Sequence, residues 1–269
     1  MRSALTIAGS DSSGGAGIQA DIKTMSSLGV YAQSAITALT AQNTEGVLGV
    51  WETPAEFLEL QMKAVFEDIR PDAVKIGMIP SCESGAAVVR SLERYGAPRI
   101  VLDPVMVATS GARLIEEDAL GILRDGLLPL ADIVTPNIPE ACVLSGVPIH
   151  SKDDMATAAA AIFEESGTAV LVKGGHWVGD ADDFFLNARG EGTWLLQKRV
   201  ETGNTHGTGC TLSSAIASYL ALGFPLEQAL RSAKAYLTRA LEHDPHLGKG
   251  SGPLNHLWNI SRDAHDPIR

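Results

Sequence analysis

Cysteine is scarce: Cys82, Cys142 and Cys210 are the only three in 269 residues, and no two form a CxxC pair. That excludes a disulfide framework and a cysteine zinc site, and it points to a reduced, cytoplasmic setting. An excess of positive charge is also missing. The formal net charge is −11 and the pI is near 5.0, which argues against a general nucleic-acid binder or a partner for anionic membranes. A few local donors can still hold a phosphate against that field. No apolar run is long enough to span a membrane, and Ser3 to Ala8 is too short for a signal sequence. Neither GxGxxG nor GxxxxGK(S/T) occurs, so the Rossmann fingerprint and the P-loop are excluded. Charge of either sign is absent from one long stretch, Thr202 to Pro225, which has no Asp, Glu, Lys or Arg.

That uncharged stretch is also the most informative. Asn204-Thr-His-Gly-Thr-Gly-Cys-Thr211 is a glycine-bearing turn leading into an apolar helix, with Leu212, Ala215, Ile216, Tyr219, Leu220 and Gly223 at helical spacing. The free N–H groups and positive dipole end of such a helix attract an anion such as phosphate. Cys210 stands in the first turn. It reads either as a small packed hydrophobe or as a thiol whose pKa is lowered by the helix N-terminus, able to act as base or nucleophile. His206 could pair with it or simply serve the turn.

With 45% hydrophobic and 20% charged residues, the chain reads as a soluble globular protein, and 1–269 is expected to form a single domain. Strands and helices alternate. Ala4 to Ile7 is a strand ending in a glycine loop, Gly9 to Gly17, and a helix follows over Ile18 to Leu28. Val30 to Leu39 and Val47 to Trp51 are strands without a helix between them. Thr53-Pro-Ala-Glu56 reads as a capping box opening a helix to Ile69, with Leu58, Met62, Val65 and Ile69 inward. Strands at Ala73 to Ile76, Arg99 to Leu102, Asp132 to Thr135 and Ala169 to Val172 alternate with helices at Glu83 to Tyr95, Glu117 to Leu127 and after Ser151. In the last of these, Met155, Ala158, Ala159 and Ile162 face inward. Asp183 to Asn187 and Thr193 to Leu196 form an antiparallel edge pair, a surface on which two copies could form a homodimer. A last helix spans Leu226 to Leu241, with Leu237 and Leu241 on its apolar stripe. This pattern predicts a mainly parallel sheet covered by helices on both faces, with a small antiparallel edge, rather than a closed barrel.

Ligands of such sheets bind beyond the carboxyl ends of the strands. Gly9, Gln42, Met78, Asp103, Asn137 and Lys173 all fall just after predicted strands and could share one crevice. Lys173 is either a solvated strand end or a contact for phosphate oxygens. Asp103 and Glu140 either hold a magnesium ion or cap turns and helices. Asp21 either reaches the crevice from its helix or is solvated. Gln42, a donor and an acceptor at once, suits a heteroaromatic ring edge or a backbone bond.

Together these stretches resemble the hydroxymethylpyrimidine/phosphomethylpyrimidine kinases of thiamine biosynthesis, in the ribokinase-like superfamily. The resemblance rests on Ile7-Ala-Gly-Ser-Asp11, Gly14-Gly-Ala-Gly-Ile-Gln-Ala-Asp21, Ala38-Leu-Thr-Ala-Gln-Asn-Thr44, Val74-Lys-Ile-Gly-Met78, Asp103-Pro-Val-Met106, Thr135-Pro-Asn-Ile-Pro-Glu140, Val172-Lys-Gly-Gly-His176, Thr205-His-Gly-Thr-Gly-Cys-Thr211 and Gly248-Lys-Gly-Ser-Gly-Pro253, in family order. It implies a ribokinase-like three-layer fold and two phosphoryl transfers from ATP with Mg2+. The acceptors are 4-amino-5-hydroxymethyl-2-methylpyrimidine and then its monophosphate. Carried over, Asp21 and Gln42 hold the polar edge of the ring, with Gly9, Met78 and Val105 packed near it. Asn137, Lys173 and Thr208 lie along the nucleotide phosphates, with Glu140 and Asp103 near the metal. Cys210 becomes the base where many relatives carry aspartate, and N–H groups from Gly207 to Cys210, Gly209 among them, stabilise charge with Lys173. Trp177 and Ser13 stand out as local differences. The nearest rival implied is a pyridoxal kinase. A vitamin-precursor sensor without turnover is disfavoured by Lys173, the glycine turn and Cys210 together, and a fused thiamine-phosphate synthase by the short tail after the match.

Overall fold

The structure, a computed structural model, describes residues 1–106, 118–176 and 179–260. Trp177 and the first residue of the helix expected from Glu117 lie outside them. One nine-stranded sheet runs through the described residues in the order β3-β2-β1-β4-β5-β6-β7-β8-β9. Its middle is parallel: β2 (Tyr31–Asn43), β1 (Ser3–Asp11), β4 (Ala73–Ile76), β5 (Ile100–Leu102), β6 (Ile133–Val134) and β7 (Ala169–Val172). The flanks, β3 (Gly46–Glu52), β8 (Asp183–Leu186) and β9 (Gly192–Leu195), are antiparallel. The central strands are apolar on both faces because helices cover both. On one face Leu5, Ile7, Val74 and Leu102 pack with residues of α2 (Ala55–Glu67), α3 (Cys82–Tyr95), α5 (Ile138–Ser145) and α6 (Lys152–Ser166). On the other, Ala4, Val101 and Ile133 meet α1 (Gly17–Ser27), α7 (Thr208–Ala221) and α8 (Leu226–Glu242). Between β5 and β6, α4 (Ala119–Ile122) passes into a π turn over Leu123–Leu127 and a 3-10 turn over Leu128–Leu130.

Several expectations need correction. β1 and β2 run four residues further than their apolar patterns suggest, so Gly9 and Gln42 lie within strands rather than after them. The register shifts between Ala8 and Ser10 in β1 and between Ala41 and Gln42 in the β2–β3 pair. Bulges of this kind turn a side chain without ending the strand, which a strict alternation pattern misses. The capping box at Thr53 does not form. Helix α2 starts at Ala55 without a side-chain cap, because the Thr53 N–H is already bonded to the Thr37 carbonyl at 2.9 Å. That helix ends at Glu67, so Ile69 is 45% exposed and Phe66 takes the inward place. Leu237 and Leu241 are only half-buried and both line a cavity, Leu237 while also packing against the core. The Asp183–Leu186 strand is buried at every position, leaving β9 as that edge. The apolar exposed edge is the opposite one, where Leu48 is 82% and Trp51 76% exposed.

Other expectations hold. Ser151 caps α6 by accepting the Asp154 N–H, with Met155, Ala158, Ala159 and Ile162 buried. No described helix is long and apolar enough to cross a membrane.

Candidate active site

A cavity of about 650 Å³ opens at the carboxyl ends of the parallel strands. Gly9, Gln42, Met78, Asp103, Val105, Asn137, Glu140, Lys173, Gly207, Thr208, Gly209 and Cys210 all line it. Asp21 does not. Its carboxylate is wholly enclosed, 2.5 Å from the Thr6 hydroxyl and 2.8 Å from Lys75 Nζ, and it also accepts from Ser214. With those partners inside the protein, Asp21 has no edge to offer a ring, and the contact expected for it is replaced by a buried ion pair with Lys75, which itself lines the cavity.

At one end, Gly9 is fitted to Met78: a Cβ on Gly9 would sit 2.9 Å from the Met78 sulfur. Gln42 lies beside them on its bulge, between Thr40 and His206. His206 pairs not with Cys210 but with Asp11, at 2.8 Å. Asp11 also accepts from Ser13, Gly15 and Ala16 N–H groups and so ties the glycine loop together. Ser13 is one of the residues tied down, through both its N–H and its hydroxyl.

At the centre stands the start of α7. Gly207 occupies the left-handed region at φ 85°, and a Cβ there would lie 1.9 Å from the Gly15 carbonyl oxygen, so only glycine fits. The helix has no side-chain cap. The Thr208 N–H is bonded to the Thr205 carbonyl at 3.3 Å, whereas those of Gly209 and Cys210 have no partner among the described residues. Such a helix start is an anion site. Lys173 Nζ pairs with Asp103 Oδ1 at 2.8 Å, and Lys173 Nζ and Asp103 Oδ2 each lie 3.4 Å from where a Gly209 Cβ would be. The charge pair is therefore pressed against the anion turn.

Electrostatics revise the view of Cys210. The sequence suggests a thiol lowered by the helix N-terminus. Instead, burial pushes it up to about 11, with Asp21 and Asp103 adding to the rise and Lys75 opposing it. The physical reason is that a thiolate here loses water and faces two carboxylates, which outweigh one buried ammonium and a dipole end. Lys173 is raised although burial opposes it, because Asp103 and Glu140 hold it charged. Asp103 is lowered despite burial by Lys173 and Lys75. Burial raises Glu140 to about 7, against the pull of Lys173. Asn137 and Glu140 also form a reciprocal capping box at the start of α5, with bonds of 2.8 and 2.9 Å. The bland reading of these two residues is thus correct as well, and both still line the cavity.

The far end of the cavity was not legible from motifs. Val200, Leu237 and Leu241 give it an apolar wall, with Lys234, Asp183 and Thr238 alongside. The one available signal was that Leu237 and Leu241 extend the α8 stripe beyond what the core needs. An uncapped helix start, a lysine and two carboxylates in one cavity suit an anionic ligand such as a phosphate, and the fold around them is ribokinase-like.

The chain belongs to the phosphomethylpyrimidine kinase family, whose model matches residues 11–255. It is 52% identical to the hydroxymethylpyrimidine/phosphomethylpyrimidine kinase of Rhizobium meliloti, over 97% of this chain and 98% of that one. It is 48% identical to the thiamine biosynthesis bifunctional protein ThiED of Geobacter sulfurreducens, spanning 98% of this chain but only 54% of that protein. Among solved structures, phosphomethylpyrimidine kinase from Clostridium difficile superposes with a TM-score of 0.80 at 46% identity, over 90% of this chain and all of that one. An ADP complex of Bacillus subtilis pyridoxal kinase gives 0.89 at 33% identity, over 97% and 100%. The chain is accordingly a kinase, with ATP as phosphoryl donor.

Proposed function

We propose that this chain forms a single kinase domain that phosphorylates the hydroxymethyl group of 4-amino-5-hydroxymethyl-2-methylpyrimidine and then the resulting monophosphate. The observation that carries this reading is the convergence, in one cavity, of Gln42 with the uncapped α7 start, Lys173 and Cys210. Gln42 offers a donor and an acceptor side by side, which matches a ring nitrogen next to an amino group. Gly9, Met78 and Val105 supply the apolar contact. The overall shape does not choose between pyrimidine and pyridoxal, since a pyridoxal kinase superposes closely; the identity to named pyrimidine kinases does favour the former.

In the transfer, the substrate hydroxyl oxygen bonds to the terminal phosphorus of ATP, the bond from that phosphorus to the ADP oxygen breaks, and the hydroxyl proton leaves. The Gly209 and Cys210 N–H groups and Lys173 are aimed where negative charge gathers on the phosphoryl oxygens. Asn137 and Thr208 border the same path. Cys210 in its thiolate form receives the hydroxyl proton. Because the transition state is loose, that proton leaves late and the reaction asks little of the base.

Mg2+ fits the donors present. No described group of three or more His, Cys, Asp or Glu could form a protein cage for a metal. Mg2+ needs none, as it is held by one or two carboxylates together with substrate phosphates. Asp103 and Glu140 would hold it, and its charge would offset that of the phosphates. The few cysteines, none of them paired, support a cytoplasmic location. Exposed Leu48, Val50 and Trp51 on the β3 edge support pairing into a homodimer; a monomer in sedimentation at micromolar concentration would refute that.

The test of the activity is product analysis with the pyrimidine alcohol, ATP and Mg2+. Monophosphate followed by diphosphate is expected. A clear preference for pyridoxal, or absence of any phosphorylated product, would overturn the reading.

A further inference from the structure

Gln42, Thr40, His206 and Asp11 line the same end of the cavity, and their contacts can be followed proton by proton. Gln42 sits with Oε1 3.2 Å from the Thr40 hydroxyl and Nε2 3.4 Å from His206 Nε2. The Thr40 hydroxyl has one proton, which the Ser10 carbonyl accepts at 2.9 Å. His206 Nε2 lies 2.8 Å from Asp11 Oδ2. Burial pushes the Asp11 carboxyl up, but bonds from His206, Ser13 and Ala16 override it and bring it down to about 2. An ionised carboxylate only accepts, so the ring nitrogen facing it carries a proton.

This arrangement has two mismatches. The amide oxygen faces a hydroxyl whose proton is already used, and the amide NH2 faces a ring N–H. Exchanging the amide oxygen and nitrogen is a half-turn that leaves the side-chain shape unchanged, and only the hydrogen-bond network can decide it. The exchanged form removes both mismatches. Thr40 then donates to Ser10 and accepts from the amide NH2, while the His206 N–H is shared between Asp11 and the amide oxygen.

We propose that Thr40 and His206 are positioning residues that determine substrate specificity, fixing the Gln42 amide with its NH2 toward Thr40 and its oxygen toward His206. This sets the order in which Gln42 presents its remaining N–H and its remaining oxygen lone pair to a ring edge. A ring whose acceptor nitrogen and amino group come in the matching order is accepted. One presenting them in the reverse order meets donor against donor and acceptor against acceptor, which a buried site rejects strongly. His206 immediately precedes the anion turn, and a Cβ on Gly15 would lie 2.4 Å from its ring. The histidine is thus held from both sides, and the ring-reading end is fixed to the phosphate-reading end. The proposal deepens the pyrimidine reading above and depends on it only for the identity of the ring.

Neutron diffraction from perdeuterated, ligand-free protein reads the orientation without any substrate. Deuterium is expected on His206 Nε2 and on the Gln42 atom facing Thr40. Deuterium on the Gln42 atom facing His206 would overturn the assignment, whatever the substrate proves to be. Kinetics then test the consequence. His206→Leu should raise the KM for the aminopyrimidine alcohol about tenfold and lower its preference over pyridoxal, with kcat within about threefold of wild type. His206→Gln, which can still donate to Asp11, should restore most of the KM, and Thr40→Ser should behave as wild type where Thr40→Val does not. An unchanged KM and substrate preference in both His206→Leu and Thr40→Val would refute the specificity role.

Discussion

Two lysine–aspartate pairs flank the start of α7, with the same chemistry and different degrees of burial. Lys75 and Asp21 meet at 2.8 Å with both side chains 0% exposed. Lys173 and Asp103 meet at the same distance, with Lys173 14% and Asp103 1% exposed; both lysines line the cavity, but only Lys173 keeps measurable exposure there. Asp21 has two hydroxyl donors besides its lysine, Thr6 and Ser214, so β1, β4, α1 and α7 are joined through one carboxylate. The outer pair lies against the uncapped start of α7, where Lys173 can meet an anion. A buried pair that loses one member leaves an uncompensated charge, whereas a pair at a cavity mouth can trade its partner for a ligand. On this comparison we propose that the inner pair braces the fold and the outer pair serves the chemistry.

The largest effect is expected from breaking the inner pair. Lys75→Met should cost about 3–5 kcal/mol of folding stability by stranding Asp21, measured by denaturant unfolding, and the double variant Lys75→Met/Asp21→Leu should recover a substantial part. A loss below about 1 kcal/mol in the single variant would mean that the pair is not the brace described. Next comes Lys173→Met, expected to lower kcat about 10²–10³-fold while costing less stability than Lys75→Met. Equal stability losses in the two variants would erase the distinction. Third, Cys210→Ala should lower kcat by about 10²-fold, the low end for a general base, with the pyrimidine KM unchanged. Unaltered turnover would remove the thiol from the reaction.

The smallest effect per step is on pH. A thiol raised to about 11 is mostly protonated at neutral pH, so the thiolate fraction grows about tenfold per pH unit below that value. The chemical step of the wild type should rise with that slope between about pH 8 and 9, above the Glu140 carboxyl at about 7, and the rise in that range should vanish in Cys210→Ala. A flat wild-type profile would show that the thiolate is not the base. Neither lysine pair should interfere in this window. Both lysines are raised from 10.5, so their contribution to stability is fully present below that value and is lost only as pH climbs through the folded-state pKa.

The same two pairs show what the sequence could and could not reveal. Strand-end positions placed Asp103 and Lys173 in a crevice because residues leaving parallel strands share one side of a sheet, and both line the cavity. Asp21 and Lys75 were opaque, because their positions in a helix and a strand do not say that Thr6 and Ser214 complete a closed network between them. Gly9 and Gln42 read as lying just after strands because a bulge keeps the ladder going while breaking the alternation that marks a strand. The Cys210 thiol illustrates a further limit: a helix N-terminus can be read from sequence, but the water and carboxylates around it cannot. The apolar far wall at Val200, Leu237 and Leu241 needed tertiary packing to separate cavity-facing leucines from core ones.

The claim that the outer pair serves the reaction and the inner pair serves the fold is tested most directly by calorimetric titration of a non-hydrolysable ATP analogue with Mg2+ into both lysine variants. Lys75→Met, held at a temperature where it is folded, should bind within about threefold of wild type. Lys173→Met should bind about 10–100-fold more weakly, the loss of one charge-assisted contact. Undiminished binding by Lys173→Met alongside weakened binding by folded Lys75→Met would contradict the account.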